Sequence, residues 1–176
     1  FSFLLKTFTK LNPKQFFINI KEVIVFTFST SSSSASIPFT LKAATEKCGI
    51  NKSISSFTIP LGATINMDGT AIMQGCATFF LASLYGIDLG MSEILTIVVT
   101  ATIASIGTAG IPSAGIIMLT VIFTQIGIPL EGITLLLGVD RLLDMMRTSI
   151  NVSGDLCISC IVASSENRID ETIYKS

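Results

Sequence analysis

The sequence predicts an all-α integral membrane protein: two re-entrant helical hairpins and two long transmembrane helices, one of them broken, in an inverted repeat. Three observations carry this. Residues 94–130 hold no charged side chain, and no Lys or Arg occurs between Lys52 and Arg141, whereas about 18–20 apolar residues already suggest a membrane span. Several apolar limbs are still too short to cross: residues 94–106 as a helix reach about 20 Å, against a hydrocarbon core of about 30 Å. These limbs meet at tips of small residues and Pro, Ser31–Pro38 and Gly107–Gly115.

In order, residues 1–13 are apolar and basic and read as the end of a preceding helix and a cytoplasmic connection. The chain opens Phe1-Ser2-Phe3 without an initiator Met and is expected to be a piece of a longer one. Residues 14–49 form the first hairpin, with limbs 14–29 and from the Ser tract to about Gly49. Residues 50–88 form a transmembrane helix broken at Asn66-Met67-Asp68-Gly69-Thr70, and residues 89–128 form the second hairpin. Residues 129–163 form the final transmembrane helix, and 164–176 a polar cytoplasmic tail expected to fray. Backbone groups at the hairpin tips need partners, so the tips face protein or a wet cavity.

The lysines fit this topology. Lys6, Lys10 and Lys14 precede the first hairpin, and Lys42, Lys47 and Lys52 follow it. A re-entrant hairpin returns to its own side, so both clusters lie in the cytoplasm. The outer connection carries Asp88 and Glu93, and the last helix returns Arg168 and Lys175 to the inside. Hairpin plus long helix therefore occurs twice, in opposite orientation. Inverted repeats with broken helices are typical of secondary transporters, with the site near the membrane midplane.

Composition narrows the chemistry. The chain is 49% hydrophobic and 13% charged, with mean hydropathy +0.73, which excludes a disordered protein. Net charge is −1, so there is no general attraction for nucleic acid. The absence of His removes His-based metal sites and acid–base chemistry. The Gly107–Gly115 tip lacks the Gly-Lys-Ser/Thr ending of a phosphate loop. Cys157-Ile158-Ser159-Cys160 has neither a second Cys pair nor a His, and reads as packing. With no nucleophile–base pair, the chain does not read as an enzyme.

On the last helix, Asp140, Asp144, Arg147, Asn151 and Asp155 are spaced 4, 3, 4 and 4. At about 100° per residue they share one narrow face, with Arg141 outside it. A solvated face of a soluble helix would look similar, but Leu142, Leu143, Met145, Met146 and Ile150 surround the stripe. Ionisable residues inside a membrane segment mark a functional site. Asp144 and Arg147 can pair with each other, or can split, Arg147 taking a carboxylate and Asp144 an ammonium. A zwitterionic acidic amino acid offers both groups. Asp68 and Asp155 then call for accompanying cations or protons, because unpaired buried charge is costly. The Ser tract could be a linker by composition, but it lies between apolar limbs and ends in Pro.

Four segments resemble the dicarboxylate/amino acid:cation symporter family, which includes the glutamate and aspartate transporters. They are Ser31–Pro38, Pro60–Thr70, Ala104–Pro112 and Asp144–Asp155; their order and spacing cover nearly the whole chain. The resemblance implies a homotrimer assembled through an absent amino-terminal half, in the plasma or inner membrane, with an elevator-type transport domain that this chain largely comprises. It implies that Arg147 binds the substrate side-chain carboxylate and Asp144 the amino group, with Ser33, Thr70, Gly110, Ile111, Thr148 and Asn151 completing the pocket. It further implies sodium at three places, with protons as the alternative coupling ion: Gly62, Asn66, Asn151 and Asp155; Thr64, Ser105, Ile106 and Thr108; and Asp68 with ligands from the absent half. The second hairpin would be the outer gate.

Family members commonly carry another Arg before the first-tip serines or beside the equivalent of Asp144; this chain has Ser31 and Met145 there. The function expected is cation-coupled symport of acidic amino acids. C4-dicarboxylate symport, a channel and a non-transporting fragment are the alternatives.

Overall fold

The computed structural model describes residues 1–175; the expected tail runs to Ser176, which lies outside the described residues. Nine helices are found among them: α1 (Ser2–Phe8), α2 (Pro13–Thr30), α3 (Ser33–Glu46), α4 (Lys52–Ile65), α5 (Asp68–Leu84), α6 (Met91–Ile106), α7 (Ala114–Ile126), α8 (Gly132–Ser165) and α9 (Glu171–Lys175). The described residues form no named strand, so the all-α expectation holds. Among them no helix is long and apolar enough to cross a membrane.

Local chemistry sets the boundaries. Asn12 caps α2 by accepting from Lys14 N, and Pro13 occupies its first turn, where a missing N–H costs nothing. Pro13 therefore opens this helix, although the sequence pattern placed it at the end of the preceding connection. Ser31 turns the chain at φ 52°, and Ser32 caps α3 through Ala35 N. Asn66 and Met67 are non-helical and separate α4 from α5. Gly127, at φ 78°, ends α7, a left-handed conformation that a Cβ would oppose.

Three contacts show that α2 and α3 run antiparallel. Thr30 Oγ1 lies 3.2 Å from Ser36 Oγ, Phe26 stacks on Phe39 with ring centroids 4.7 Å apart, and Asn19 Nδ2 donates to Lys47 O at 2.8 Å. Across α6 and α7, Thr100 Oγ1 donates to Gln125 Oε1 at 2.6 Å.

Two apolar clusters result. One gathers Phe16, Ile20, Ile59, Leu156 and Cys160 from α2, α4 and α8; the other gathers Leu81, Ile97, Leu119, Phe123 and Leu136 from α5, α6, α7 and the start of α8. Cys157 and Cys160 are packed in the first, as the sequence reading expected. Buried polar residues of the helix tips and of α8 lie outside both clusters.

The tail does not fray. Ile169 pairs with Ile50 in an antiparallel bridge, Asp170 N donates to Gly49 O, and Asn51 N donates to Arg168 O. Tyr174 is buried, donates its hydroxyl to Asn12 O, and accepts from Asn19 Nδ2 on its carbonyl. A polar segment was expected to dissolve into water; docking against residues more than a hundred positions earlier overrides that local preference.

Candidate functional site

The stripe on α8 faces inward. Asp140, Asp144, Arg147, Asn151 and Asp155 are each at most 4% exposed, while Leu137, Leu142, Met146 and Ile150 point outward. Arg141 is exposed, as its angular position required.

Arg147 is the centre. Its Nε donates to Asp144 Oδ1 at 2.8 Å, and Nη2 lies 3.5 Å from Asp140 Oδ1. Nη1 and Nη2 have no hydrogen-bond acceptor within the protein, although both are buried. A buried guanidinium with idle donors is costly unless something else accepts from them. Asp144 also accepts from Ser113 N at 2.7 Å, at the start of α7. Of the two arrangements the sequence allowed, the paired one is present.

The helix tips close over this pair. Ser33, Thr70, Gly110, Ile111, Asp144, Arg147, Thr148 and Asn151 all line one cavity. They come from both tips, the start of α5 and the middle of α8. The cavity measures about 10 Å³, whereas ligand pockets span about 300–1,000 Å³. In this arrangement the space holds no solute larger than water. Gly115 is essential to the close fit, because a Cβ there would lie 2.9 Å from Arg147 Cζ and Nη1.

A second polar group forms at the α4–α5 break. Asn66 Nδ2 donates to Asp155 Oδ1 at 2.8 Å, and Gly62 lies directly against the Asp155 side chain. Asn151 Oδ1 accepts from Gly69 N at 2.8 Å, and its amide donates to Thr70 Oγ1 at 3.2 Å. Asp68 is exposed and flanks Gly154 beside Asn66.

These helices and spacings repeat a known pattern. Residues 1–165 match the sodium:dicarboxylate symporter family. The chain belongs to that family. It is 45% identical to excitatory amino acid transporter 3 of Mus musculus over 82% of this chain and 28% of that protein. It is 46% identical to excitatory amino acid transporter 2 of Homo sapiens over 84% of this chain and 26% of that protein. With excitatory amino acid transporter 1 of Rattus norvegicus the identity is 45%, over 84% and 27%. The chain thus spans about a quarter of the length of these curated relatives. Like its relatives it is a transporter-family protein and not an enzyme.

Against this family background, the remaining candidate residues are dispersed. Thr108 is buried, lines the cavity and donates to Ala104 O. Ser105 is buried and donates to Thr102 O. Thr64 is exposed and bonds Leu61 O of its own helix, and Ile106 is half exposed. Among the described residues, no three His, Cys, Asp or Glu side chains cluster around one point.

Sequence reasoning missed Gln74. It is fully buried, donates to Gly115 O at 3.1 Å, and leaves Oε1 without a partner. The available signal was its position one helical turn after Thr70 within an apolar run. Met67, Ala109 and Gly115 also line the cavity without having been singled out, as does Ser31, noted in the sequence only as the place of a family Arg.

Proposed function

We propose that this chain carries the substrate-binding part of a secondary active symporter of acidic amino acids, glutamate or aspartate, driven by sodium. The observation that carries this is Arg147: a buried guanidinium beneath two helix tips, with Nη1 and Nη2 lacking acceptors. A substrate side-chain carboxylate supplies two acceptors in the planar geometry a guanidinium favours. Asp144, three residues away, is placed to take the ammonium once the substrate has displaced it from Arg147. Ser33, Thr70, Gly110, Ile111, Thr148 and Asn151 complete the pocket. The names of the relatives, excitatory amino acid transporters, support the amino-acid class.

Sodium would accompany the substrate as cargo. Asp155 with Asn66, Asn151 and the backbone at Gly62 offers the oxygen-rich surroundings a hard cation takes. Thr64, Ser105, Ile106 and Thr108 are a second candidate set, and Asp68 with ligands from outside this chain a third. Protons are the alternative coupling ion.

The membrane arrangement belongs to the same proposal. Helix α8 has 34 residues and at about 51 Å has the length to span; its charged stripe is turned into the protein and its outer face carries Leu, Val, Met and Ile together with Arg141. The α2–α3 and α6–α7 pairs are re-entrant hairpins (residues 14–49 and 89–128), residues 50–88 are a broken span, 129–163 the last span, and 1–13 and 164–176 cytoplasmic. Assembly as a homotrimer through a part of the protein outside this chain, with elevator-type movement in the plasma or inner membrane, completes the reading.

The test is uptake of labelled aspartate by the full-length protein in vesicles. Uptake should require an inward sodium gradient; uptake unchanged after every ion gradient is collapsed removes the coupling. Preference for succinate over aspartate would make it a dicarboxylate carrier, and steady current without substrate a channel.

A further inference from the structure

We propose that the Ser32 hydroxyl is a clasp holding the α6–α7 pair shut over the Arg147 cavity. It acts as a positioning residue for closure, without touching substrate. This deepens the function proposed above and rests on that reading only for what the closed cavity encloses.

The Gly110 carbonyl is the point of attachment. It accepts from Ser32 Oγ at 2.8 Å and from Ser34 N at 3.1 Å, so both of its lone pairs are engaged by the opposite tip. Gly110 can come this close only without a side chain: a Cβ would lie 2.7 Å from Ser34 Oγ and 3.0 Å from Ala63 O. The proton on Ser32 has a fixed direction. Ser32 Oγ accepts from Ala35 N at 3.2 Å, capping α3, so its own hydrogen is free to point at Gly110 O. Donation runs Ala35 N–H to Ser32 O–H to Gly110 O, a chain in which each bond polarises the next.

Ser32 does not line the cavity, whereas its neighbours Ser31 and Ser33 do. Its effect on closure is therefore separable from any effect on ligand contacts. The two helix pairs are also held unequally. The α2–α3 pair lies along α8 and α4, and its base is tied to the tail through Asn19 and the Ile50–Ile169 bridge. The tip of α6–α7 is held by polar anchors at residues 110–115: Gly110 to Ser32 and Ser34, Ser113 N to Asp144, and Gly115 O to Gln74. The α6–α7 pair packs on α5 at its base but is not tied to the tail, and it is the pair that lifts; Ser32, like Ser34 and Gln74, belongs to neither the Arg147 ion pair nor the cavity wall, and it alone of these three reaches across from the opposite tip by its side chain.

The experiment is thiol alkylation of the full-length protein without substrate. Ser31→Cys places a thiol at a cavity-lining position that is 1% exposed, in a Cys76→Ala background because Cys76 is the exposed cysteine of residues 1–175, and alkylation is read at residue 31 itself by peptide mass. Labelling then follows the open population. Adding Ser32→Ala should raise the rate about fivefold, the weight of one neutral hydrogen bond. Ser32→Asp still caps α3 but cannot donate to Gly110, and should raise the rate at least as much. Ser32→Thr keeps both functions and should leave it within about twofold of the parent. An unchanged rate in Ser32→Ala overturns the clasp. So does parent-like labelling of Ser32→Asp, which would make Ser32 a helix cap only. An equal rise at buried Cys48 would mean general loosening, and also overturns it. Aspartate binding to the same proteins reports separately on the functional reading: a clasp with no aspartate binding would leave closure intact and remove the acidic amino acid.

Discussion

Arg147 Nε sits 2.8 Å from Asp144 Oδ1, while Nη1 and Nη2 of the same guanidinium meet no hydrogen-bond acceptor in the protein. The side chain is thus held by one edge and available by the other. Arg147→Ala removes the available edge and leaves Asp140 and Asp144 facing each other unneutralised. Truncating one member of a buried charge pair costs about 2–5 kcal/mol, so aspartate affinity should fall by about 30-fold or more in equilibrium binding. Retained affinity would remove Arg147 from the site.

Gly115 and Gly75 make a matched pair. A Cβ at Gly115 meets Arg147 Nη1 and Cζ at 2.9 Å and Thr70 Cγ2 at 3.2 Å, whereas one at Gly75 meets nothing within 4 Å. The guanidinium is pinned by Asp144, so it cannot swing aside freely. Gly115→Ala should lower aspartate affinity by at least about tenfold, consistent with a loss near 1.4 kcal/mol, with little change in melting temperature. Gly75→Ala, in a helix interior, should bind normally and be more stable by about 0.5–1 kcal/mol. Equal affinities for the two variants would show that closeness to Arg147 is irrelevant.

The α8 stripe was legible because helical periodicity is a local property: spacings of 4, 3, 4 and 4 place five side chains on one face wherever the helix lies. Helix α6 (Met91–Ile106) likewise contains the apolar limb 94–106 and ends with it. What the sequence could not show depends on distant chain segments. Ser113 N reaches Asp144 across 31 residues, Ser32 reaches Gly110 across 78, and Tyr174 reaches Asn12 across 162. Gln74 was hidden for a different reason: its one local signal is its place a helical turn after Thr70, and its significance comes from Gly115 O lying beside it.

Asp155 accepts from Asn66 at 2.8 Å while the backbone of Gly62 presses on its side chain. If this carboxylate supplies the charge for a sodium ion, Asp155→Asn keeps an acceptor for Asn66 but removes the charge. Aspartate binding measured over a range of sodium concentrations should then lose about one ion from its sodium dependence, by linkage. Asn66→Ala leaves the carboxylate in place with one donor fewer and should weaken binding at low sodium more than at saturating sodium. An unaltered sodium dependence in Asp155→Asn would place the ion elsewhere.

The docked tail makes a stability prediction of its own. Tyr174→Phe removes the bond to Asn12 O and should cost about 1 kcal/mol; Tyr174→Ala also empties the site of the ring and should cost about 3–5 kcal/mol. Asp170 starts α9 by accepting from Thr172 Oγ1, Thr172 N and Ile173 N, and these bonds hold its carboxyl below the ordinary value of 3.8. Because the folded value is the lower one, its contribution is complete above the unfolded value and is lost as pH falls through the folded one. Protection of residues 166–175 against hydrogen exchange, taken relative to the unstructured rate at each pH, should therefore be high at neutral pH and fall on acidification below about 4, the ordinary Asp range, and Asp170→Asn should flatten that response. Exchange that is fast at neutral pH would mean that Tyr174 does not hold the tail against Asn12 and Asn19.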